Sequence, residues 1–76
     1  SFIANLLLKL KKKIKKRIYT DKDLDNIFFV INNLKNIKIE YLEIRNKFNL
    51  SNKYNKNNFK IFLAYYNKKI RLIDNF

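Results

Sequence analysis

The sequence predicts a mostly α fold, a small helical domain of two to three helices with a basic N-terminal helical arm. Three observations support this prediction. Thr20 followed three residues later by Asp23 marks a helix start. Apolar side chains recur every three to four positions in three stretches, which is the spacing of one helix face. A chain of this length also holds a single, thin core.

The first predicted element is an amphipathic arm, residues 1–19, which precedes a domain of residues 20–76. Ile3, Leu7, Leu10, Ile14 and Ile18 form an apolar stripe on a helix of residues 2–19. No acid precedes Asp21, and a solvated face usually mixes charges of both signs. We therefore expect this face to contact a polyanion through its bases, which are Lys9, Lys11, Lys12, Lys13, Lys15, Lys16 and Arg17.

The second predicted helix starts after Thr20 and runs to about Lys35. Thr20 followed three residues later by Asp23 resembles a capping box with a shortened acidic side chain. Acids at a helix N-terminus complement its dipole, so the early aspartates are interpreted as helix-start residues, and no metal site is predicted. The core face of this helix is expected to comprise Leu24, Ile27, Phe28, Ile31 and Leu34.

The rest of the chain predicts an irregular segment, a loop and a last helix. Residues 37–50 suggest an extended start followed by a helical turn, and 49–58 an Asn/Lys-rich, flexible loop. A helix of about residues 56–69 would bury Phe59, Phe62, Leu63 and Tyr66. The second half of the chain supplies further candidate RNA-binding residues, which are Arg45, Lys53, Lys56, Lys60, Lys68, Lys69 and Arg71.

Composition and charge narrow the class of function. The dominant residues, Lys, Asn, Ile, Leu, Phe and Tyr, are those that A+T-rich codons encode, which predicts an organelle of plastid or mitochondrial type or the cytoplasm of an A+T-rich bacterium. The formal net charge of +12 predicts a polyanionic partner. Without His, Cys or a Gly-rich phosphate loop, we predict no catalytic residue, no enzyme activity, no cofactor and no small-molecule substrate. No apolar run is long enough to predict a transmembrane segment.

Several motifs resemble the bacterial-type small-subunit ribosomal protein eighteen family. Asp21-Lys22-Asp23-Leu24 is similar to the start of that family's first helix, and Lys35-Asn36-Ile37 stands at the position of its Gly-Lys-Ile. Lys56 to Phe59 is similar to its Lys-x-Gln-Arg segment, and Ala64 to Ile70 to its Ala-Ile-Lys-x-Ala-Arg segment. The family's Gly, Pro and Thr-Gly residues are missing, and about seven extra residues separate the two matched blocks.

The resemblance implies a structural ribosomal RNA-binding protein of the small subunit. It implies the partners ribosomal RNA and neighbouring ribosomal proteins, among them small-subunit protein six. A domain this small cannot bury all its apolar stripes, so we expect a protein-partner surface. Its predicted residues are Phe29, Val30, Ile70, Leu72 and Ile73.

Two other classes stay open at this point. Residues 41–70 also fit a helix-turn-helix or winged-helix nucleic-acid binder, with a turn at Asn49–Asn52 and a wing at Lys69–Ile73. Residues 2–18 alone fit a cationic amphipathic helix that associates with a membrane. The spread of charge over both ends of the chain disfavours the helix-turn-helix class. The membrane-associated class gives no role to the residues outside 2–18.

Overall fold

A computed structural model, which describes residues 1–76, has an α+β fold. Two helices precede a three-stranded antiparallel sheet whose strand order is β1-β2-β3. The elements are α1 (Phe2–Lys15), α2 (Asp21–Asn32), β1 (Ile37–Asn46), β2 (Phe59–Asn67) and β3 (Ile70–Asn75). Helix and strand each take up about a third of the chain, so the prediction of a mostly α fold is wrong.

The error concerns residues 56–69, where the predicted last helix is replaced by β2 and its turn into β3. Phe59, Ile61, Leu63 and Tyr65 alternate along β2 and are all buried, which is the two-residue period of a strand. The segment is rich in aromatic and β-branched side chains, which pack well on a pleated surface. Residues 37–46 likewise form a full strand rather than an extended start and a helical turn.

Helix α1 begins and ends with recognisable caps. The backbone N–H of Ala4 donates to the Ser1 hydroxyl at 3.2 Å, which satisfies one of the free donors of the first turn. The helix ends at Lys15, and Arg17 takes up a left-handed backbone conformation with φ 59°. The predicted apolar stripe is correct as far as Ile14, whereas Ile18 lies beyond the helix and is exposed.

Helix α2 starts where the sequence predicts. The Thr20 N–H donates to Asp23 Oδ2 at 2.9 Å, and the Asp23 N–H donates to the Thr20 carbonyl at 3.0 Å. Lys13 Nζ donates to Asp23 Oδ1 at 2.8 Å and so links the two helices. Asn36 has φ 67°, a left-handed conformation that Asn tolerates, in the turn that leads into β1.

The sheet buries one face under the helices. β1 pairs with β2 so that Leu42 lies opposite Leu63 and Ile44 opposite Ile61, with a bulge between Ile39 and Tyr41. The buried cluster comprises Leu7, Leu10, Ile14, Ile31, Ile39, Leu42, Ile44, Phe59, Ile61, Leu63 and Tyr65. Leu24 and Ile27 are only partly buried, and Phe28, predicted as core, is exposed. Helix α1 therefore packs on the same core as the sheet, while the division of the chain at residue 19 stays a prediction.

Neither helix combines the length and apolar character needed to cross a lipid bilayer.

Candidate functional site

The most distinctive surface feature is a groove between the C-terminal half of α1 and the loop 47–58. It consists of two hollows of about 400 and 240 Å³ that share Lys56 and Asn57. We call it the basic groove. It is lined by Lys11, Ile14, Lys15, Arg17, Tyr19, Lys47, Tyr54, Asn55, Lys56, Asn57 and Phe59.

Helix α1 supplies one wall of the basic groove. Ile14 is buried in the core, which fixes the rotation of the helix about its axis. Lys11 and Lys15 flank this anchor and are four residues apart, so they lie on one side of the helix about 6 Å apart along its axis. The left-handed backbone of Arg17 then turns the chain toward Tyr19, which forms the end of the wall.

The opposite wall is held in place by Asn46, the only buried polar residue of the chain. Its Oδ1 accepts from the backbone N–H of Phe48 at 2.9 Å and of Asn49 at 3.4 Å. Its Nδ2 donates to the carbonyl of Lys53 at 3.3 Å. One amide side chain thus connects both ends of the first half of the loop.

A second set of hydrogen bonds shapes the tip that carries Lys56 and Asn57. The Asn55 N–H donates to Asn58 Oδ1 at 2.7 Å, and the Asn57 N–H donates to Asn55 Oδ1 at 2.8 Å. The Lys47 N–H donates to the Asn58 carbonyl at 2.7 Å. The loop that we expected to be flexible is thus closed on itself by its asparagines, which present Lys56 and Asn57 to α1.

The charge of the basic groove is uncompensated. Five of its lining side chains are bases and none is an acid. The three ion pairs of the molecule lie elsewhere and join Lys13 to Asp23, Arg45 to Glu43 and Arg71 to Glu40. The Lys47 ammonium lies 5.2 Å from the centroid of the Phe48 ring, a favourable contact that leaves its charge in place.

Two phenols give the groove a distinct second end. Burial raises the pKa of Tyr19 to about 12, assisted by Tyr54 and by the carboxylate of Asp21. Burial also raises the pKa of Tyr54, again with a contribution from Asp21. A phenol is protonated at neutral pH even without such a shift, so both side chains can donate hydrogen bonds. The groove has a lysine end, lined by Lys11, Lys15, Lys47 and Lys56, and a tyrosine end, lined by Tyr19, Tyr54 and Arg17.

This arrangement is suited to binding a multiply charged anion. Ammonium and guanidinium groups form strong, charge-assisted hydrogen bonds to carboxylate and phosphate oxygens. The Asn57 amide and the neutral phenols add uncharged donors. The side chains can therefore hold and orient an anionic ligand.

The groove brings together only a minority of the residues predicted to bind RNA, namely Lys11, Lys15, Arg17 and Lys56.

The other residues predicted to bind RNA lie outside the groove. Lys9 and Lys13 line a separate hollow between the helices. Lys12, Lys16 and Lys53 are exposed outside the groove. Arg45 and Lys60 are partners in the β1–β2 register, Lys68 and Lys69 form the β2–β3 turn, and Arg71 is paired with Glu40.

Sequence reasoning missed Lys47, Tyr19 and Asn57. Lys47 lies directly after a strand that was interpreted in part as a helical turn, so its direction could not be assigned. The signal that could have indicated a structured rather than a flexible loop was the spacing of its asparagines. Asn46, Asn49, Asn55 and Asn58 stand where side-chain amides cap backbone N–H groups two or three residues away.

The predicted protein-partner residues are all exposed. Phe29 is 67% exposed and Ile70 66%, and Val30, Leu72 and Ile73 are also exposed. Their role in binding a protein stays a prediction.

Comparison with known proteins relates the chain to an enzyme family. The family model described as pantoate-beta-alanine ligase matches residues 2–76, and thus both helices and all three strands. No curated protein and no solved structure matches significantly.

This match overturns the ribosomal interpretation. The identification with small-subunit ribosomal protein eighteen is wrong, and the helix-turn-helix and membrane-associated alternatives are not supported. The residues compared with that family's last helix, Ala64 to Ile70, lie in β2 and the following turn. The prediction that ribosomal RNA and ribosomal proteins, including small-subunit protein six, are partners of this chain is therefore also wrong.

The predictions of no enzyme activity and no small-molecule substrate are also wrong, because the matched family is one of ligases that act on small molecules. The absence of His and Cys was a poor guide because binding and orienting anionic substrates requires bases and amides rather than a nucleophile. Since the family model extends over all five elements of the fold, the chain belongs to the pantoate-beta-alanine ligase family.

Proposed function

We propose that this chain acts in a ligase that joins pantoate to β-alanine with ATP as co-substrate. The observation that supports the proposal is the family match, which extends over residues 2–76. The match includes both walls of the basic groove, since α1 and the loop 47–58 lie within it.

The chemistry of the substrates agrees with the charge of the chain. Joining pantoate to β-alanine makes an amide bond between a carboxylate and an amine, and ATP supplies the driving force for this condensation. Pantoate and β-alanine each carry a carboxylate, and ATP carries a triphosphate. A chain with a formal net charge of +12 attracts the two net anions, pantoate and ATP, to its surface, whereas β-alanine also carries an ammonium group and has no net charge.

The role that the groove supports is binding and orientation. Its lysines and Arg17 can neutralise an anionic substrate, and Asn57 and the phenols can fix its direction by hydrogen bonds. Holding reactants in a productive geometry is itself a large part of catalysis for a reaction between two substrates. These side chains therefore serve ligation without having to transfer a proton or form a covalent intermediate.

The test is a ligation assay together with substrate binding. The purified chain is incubated with ATP, magnesium, pantoate and β-alanine, and the amide product is measured by mass spectrometry. Binding of each substrate is measured separately by NMR titration. We expect amide product, or saturable binding of at least one substrate at backbone amides of the groove. A chain that forms no product and binds none of the three would overturn the proposal.

A further inference from the structure

We propose that the free edge of β3 binds a second copy of this chain by antiparallel strand pairing, which joins their two three-stranded sheets into one. The inference goes beyond the ligase function and does not depend on it. Ile70, Leu72 and Ile73, which the sequence predicts to contact a protein, all lie in this strand and are exposed.

The outward backbone groups of β3 have no partner within the protein. The Phe76 N–H donates to the Ile61 carbonyl at 2.8 Å, so the even-numbered residues of β3 are the ones whose backbone faces β2. The N–H and C=O groups of Arg71, Ile73 and Asn75 therefore point away from the sheet, where no further strand accepts them. A row of such groups is a template for an additional strand.

The outer edge of β1, by contrast, is occupied. The Ile39 N–H donates to Asn32 Oδ1 at 2.9 Å, and the Asn46 N–H donates to the Ser51 carbonyl at 2.9 Å. A bulge between Ile39 and Tyr41 also interrupts this edge, and bulges discourage strand addition. β3 is therefore the open edge of the sheet.

The single base of β3 does not protect that edge. A charged side chain on an edge strand commonly prevents strand addition. Arg71 instead donates to Glu40 on β1, from Nε at 2.7 Å and from Nη2 at 3.1 Å. Its guanidinium thus lies over β2, on the side away from the free edge. The strand also contains no proline and pairs with β2 without a bulge.

A two-fold axis at Ile73 satisfies all the outward groups of β3. Ile73 then lies opposite its own counterpart, and Arg71 lies opposite Asn75 of the second copy. Each of these pairs can exchange two hydrogen bonds between backbone groups. The same register places Ile70 opposite Phe76 of the second copy, so an apolar pair lies at each end of the interface. The same strand thus serves both copies, as in other symmetric dimers.

The distribution of charge favours a second copy as the occupant. Residues 70–76 contain one base and one acid, Arg71 and Asp74, although the chain has a formal net charge of +12. Antiparallel pairing places the two turns at Lys68 and Lys69 at opposite ends of the interface, roughly 27 Å apart. This separation exceeds the screening distance of about 8 Å at physiological salt. An acidic partner would be attracted to the lysine-rich surfaces, whereas a second β3 matches this neutral, apolar strand.

Substitutions at Ile73 provide the material for the test. Ile73→Lys places two like charges opposite each other at the two-fold axis. Ile73→Pro removes an outward donor and leaves the hydrogen bonds to β2 in place, which an edge strand tolerates. Ile18→Lys is the matched control, because Ile18 is 59% exposed and Ile73 52%, and Ile18 lies outside the helices and strands. Circular dichroism verifies that each variant is folded.

Sedimentation velocity of the full chain, from about 10 μM to 1 mM, measures the association. We expect a dimer whose population rises with concentration. Each Ile73 variant should weaken it by about tenfold or more, and Ile18→Lys by less than about twofold. Added salt should strengthen the dimer, because it screens the repulsion between two basic chains.

A cysteine at the same position tests the register. The natural chain contains no cysteine, so Ile73→Cys introduces a single thiol. The Cα atoms of a hydrogen-bonded pair are about 5.5 Å apart, a distance that a disulfide can span. Mild oxidation should therefore crosslink Ile73→Cys chains into dimers at least about tenfold faster than Ile18→Cys chains.

A chain that stays monomeric up to about 1 mM would overturn the proposal and leave the edge to a strand of another polypeptide. A dimer that survives both Ile73→Lys and Ile73→Pro would place the interface elsewhere and overturn it as well. Equal crosslinking of the two cysteine variants would do the same. None of these results bears on the ligase function, which the assay of the amide product tests separately.

Discussion

Asn46 illustrates how one side chain can organise a loop of twelve residues. It is buried, and its amide joins the backbone at Phe48, Asn49 and Lys53. A buried amide that loses its role leaves backbone donors and acceptors unpaired, which costs more than the hydrogen bonds themselves contribute.

We therefore expect Asn46→Ala to lower the free energy of unfolding by about 1–3 kcal/mol. Chemical denaturation monitored by circular dichroism measures the change. Asn52→Ala is the matched control, because Asn52 is exposed and its side chain forms no hydrogen bond within the protein. A loss no larger than that of the control would show that the loop does not depend on Asn46.

Asp23 connects stability to pH. The hydrogen bond from Lys13, followed by that from the Thr20 N–H, lowers the pKa of Asp23 from its usual value of 3.8. A carboxyl whose pKa is lower in the folded state stabilises the fold above its unfolded pKa, and this stabilisation is lost as pH falls through the folded pKa.

The thermal midpoint should therefore fall as the pH is lowered below about 4, and Asp23→Asn should reduce this dependence. Calorimetric melts between pH 2 and pH 7 measure it, with the exposed Asp25→Asn as control. A pH profile unchanged by Asp23→Asn would argue against the link between the helices.

At the scale of elements, the sequence predicted α1 and α2 well, but it predicted a third helix where β2 lies and so missed the sheet. The start of a helix depends on capping hydrogen bonds between residues close in sequence, as at Ser1 and at Thr20 with Asp23. A few neighbouring residues were therefore enough to predict it. The strands depend on pairing between distant segments, as in the register of Leu42 with Leu63. Aromatic and aliphatic residues at almost every position of 59–66 satisfied a helical period and a strand period alike, so only tertiary pairing decides between them.

The candidate site was predictable only in part for the same reason. Lys11, Lys15 and Arg17 follow from the face of α1, and the charge predicted an anionic ligand. The position of Lys47 and Lys56 against that face depends on how β1 and β2 place the loop. The class of anion was misjudged because net charge alone does not distinguish a nucleic acid from a small substrate.

The two-residue period of β2 can be tested directly. Leu63 is fully buried on the face that packs against the helices, so Leu63→Ala should lower the free energy of unfolding by about 2–5 kcal/mol. Phe29→Ala, which truncates a side chain that is 67% exposed, should change it by less than about 0.5 kcal/mol. Urea denaturation measures both, and equal effects would contradict the assigned core.

At the scale of the whole molecule, charge opposes compactness. Eighteen bases and six acids share a surface of 5587 Å², and the three ion pairs neutralise only a few of the bases. Repulsion among the remaining bases destabilises the folded state, where they are closest together.

Dissolved salt should consequently stabilise this protein. Raising the ionic strength from about 0.01 to 0.15 M shortens the screening distance from roughly 30 to 8 Å, and the thermal midpoint should rise with it. The charge-reduced variant K35E with K69E should show a smaller rise, because it starts with less repulsion. A midpoint that falls with added salt would show that the ion pairs outweigh the repulsion.

The left-handed residues of the turns have a consequence for the order of folding. Arg17, Asn36, Leu50 and Lys68 all have positive φ, and none is glycine. Non-glycine L-residues other than Asn and Asp resist this conformation by roughly 1–2 kcal/mol, so the connections at Arg17, Leu50 and Lys68 have little tendency to form before the elements that they join have met. A peptide of residues 59–76 should therefore remain unstructured, and Lys68→Gly should stabilise the full chain by about 1 kcal/mol and accelerate its refolding. Because the chain lacks glycine, we expect its turns to form late in folding and together with the elements that they connect. Long-range contacts, rather than the turn residues themselves, then determine when each turn forms.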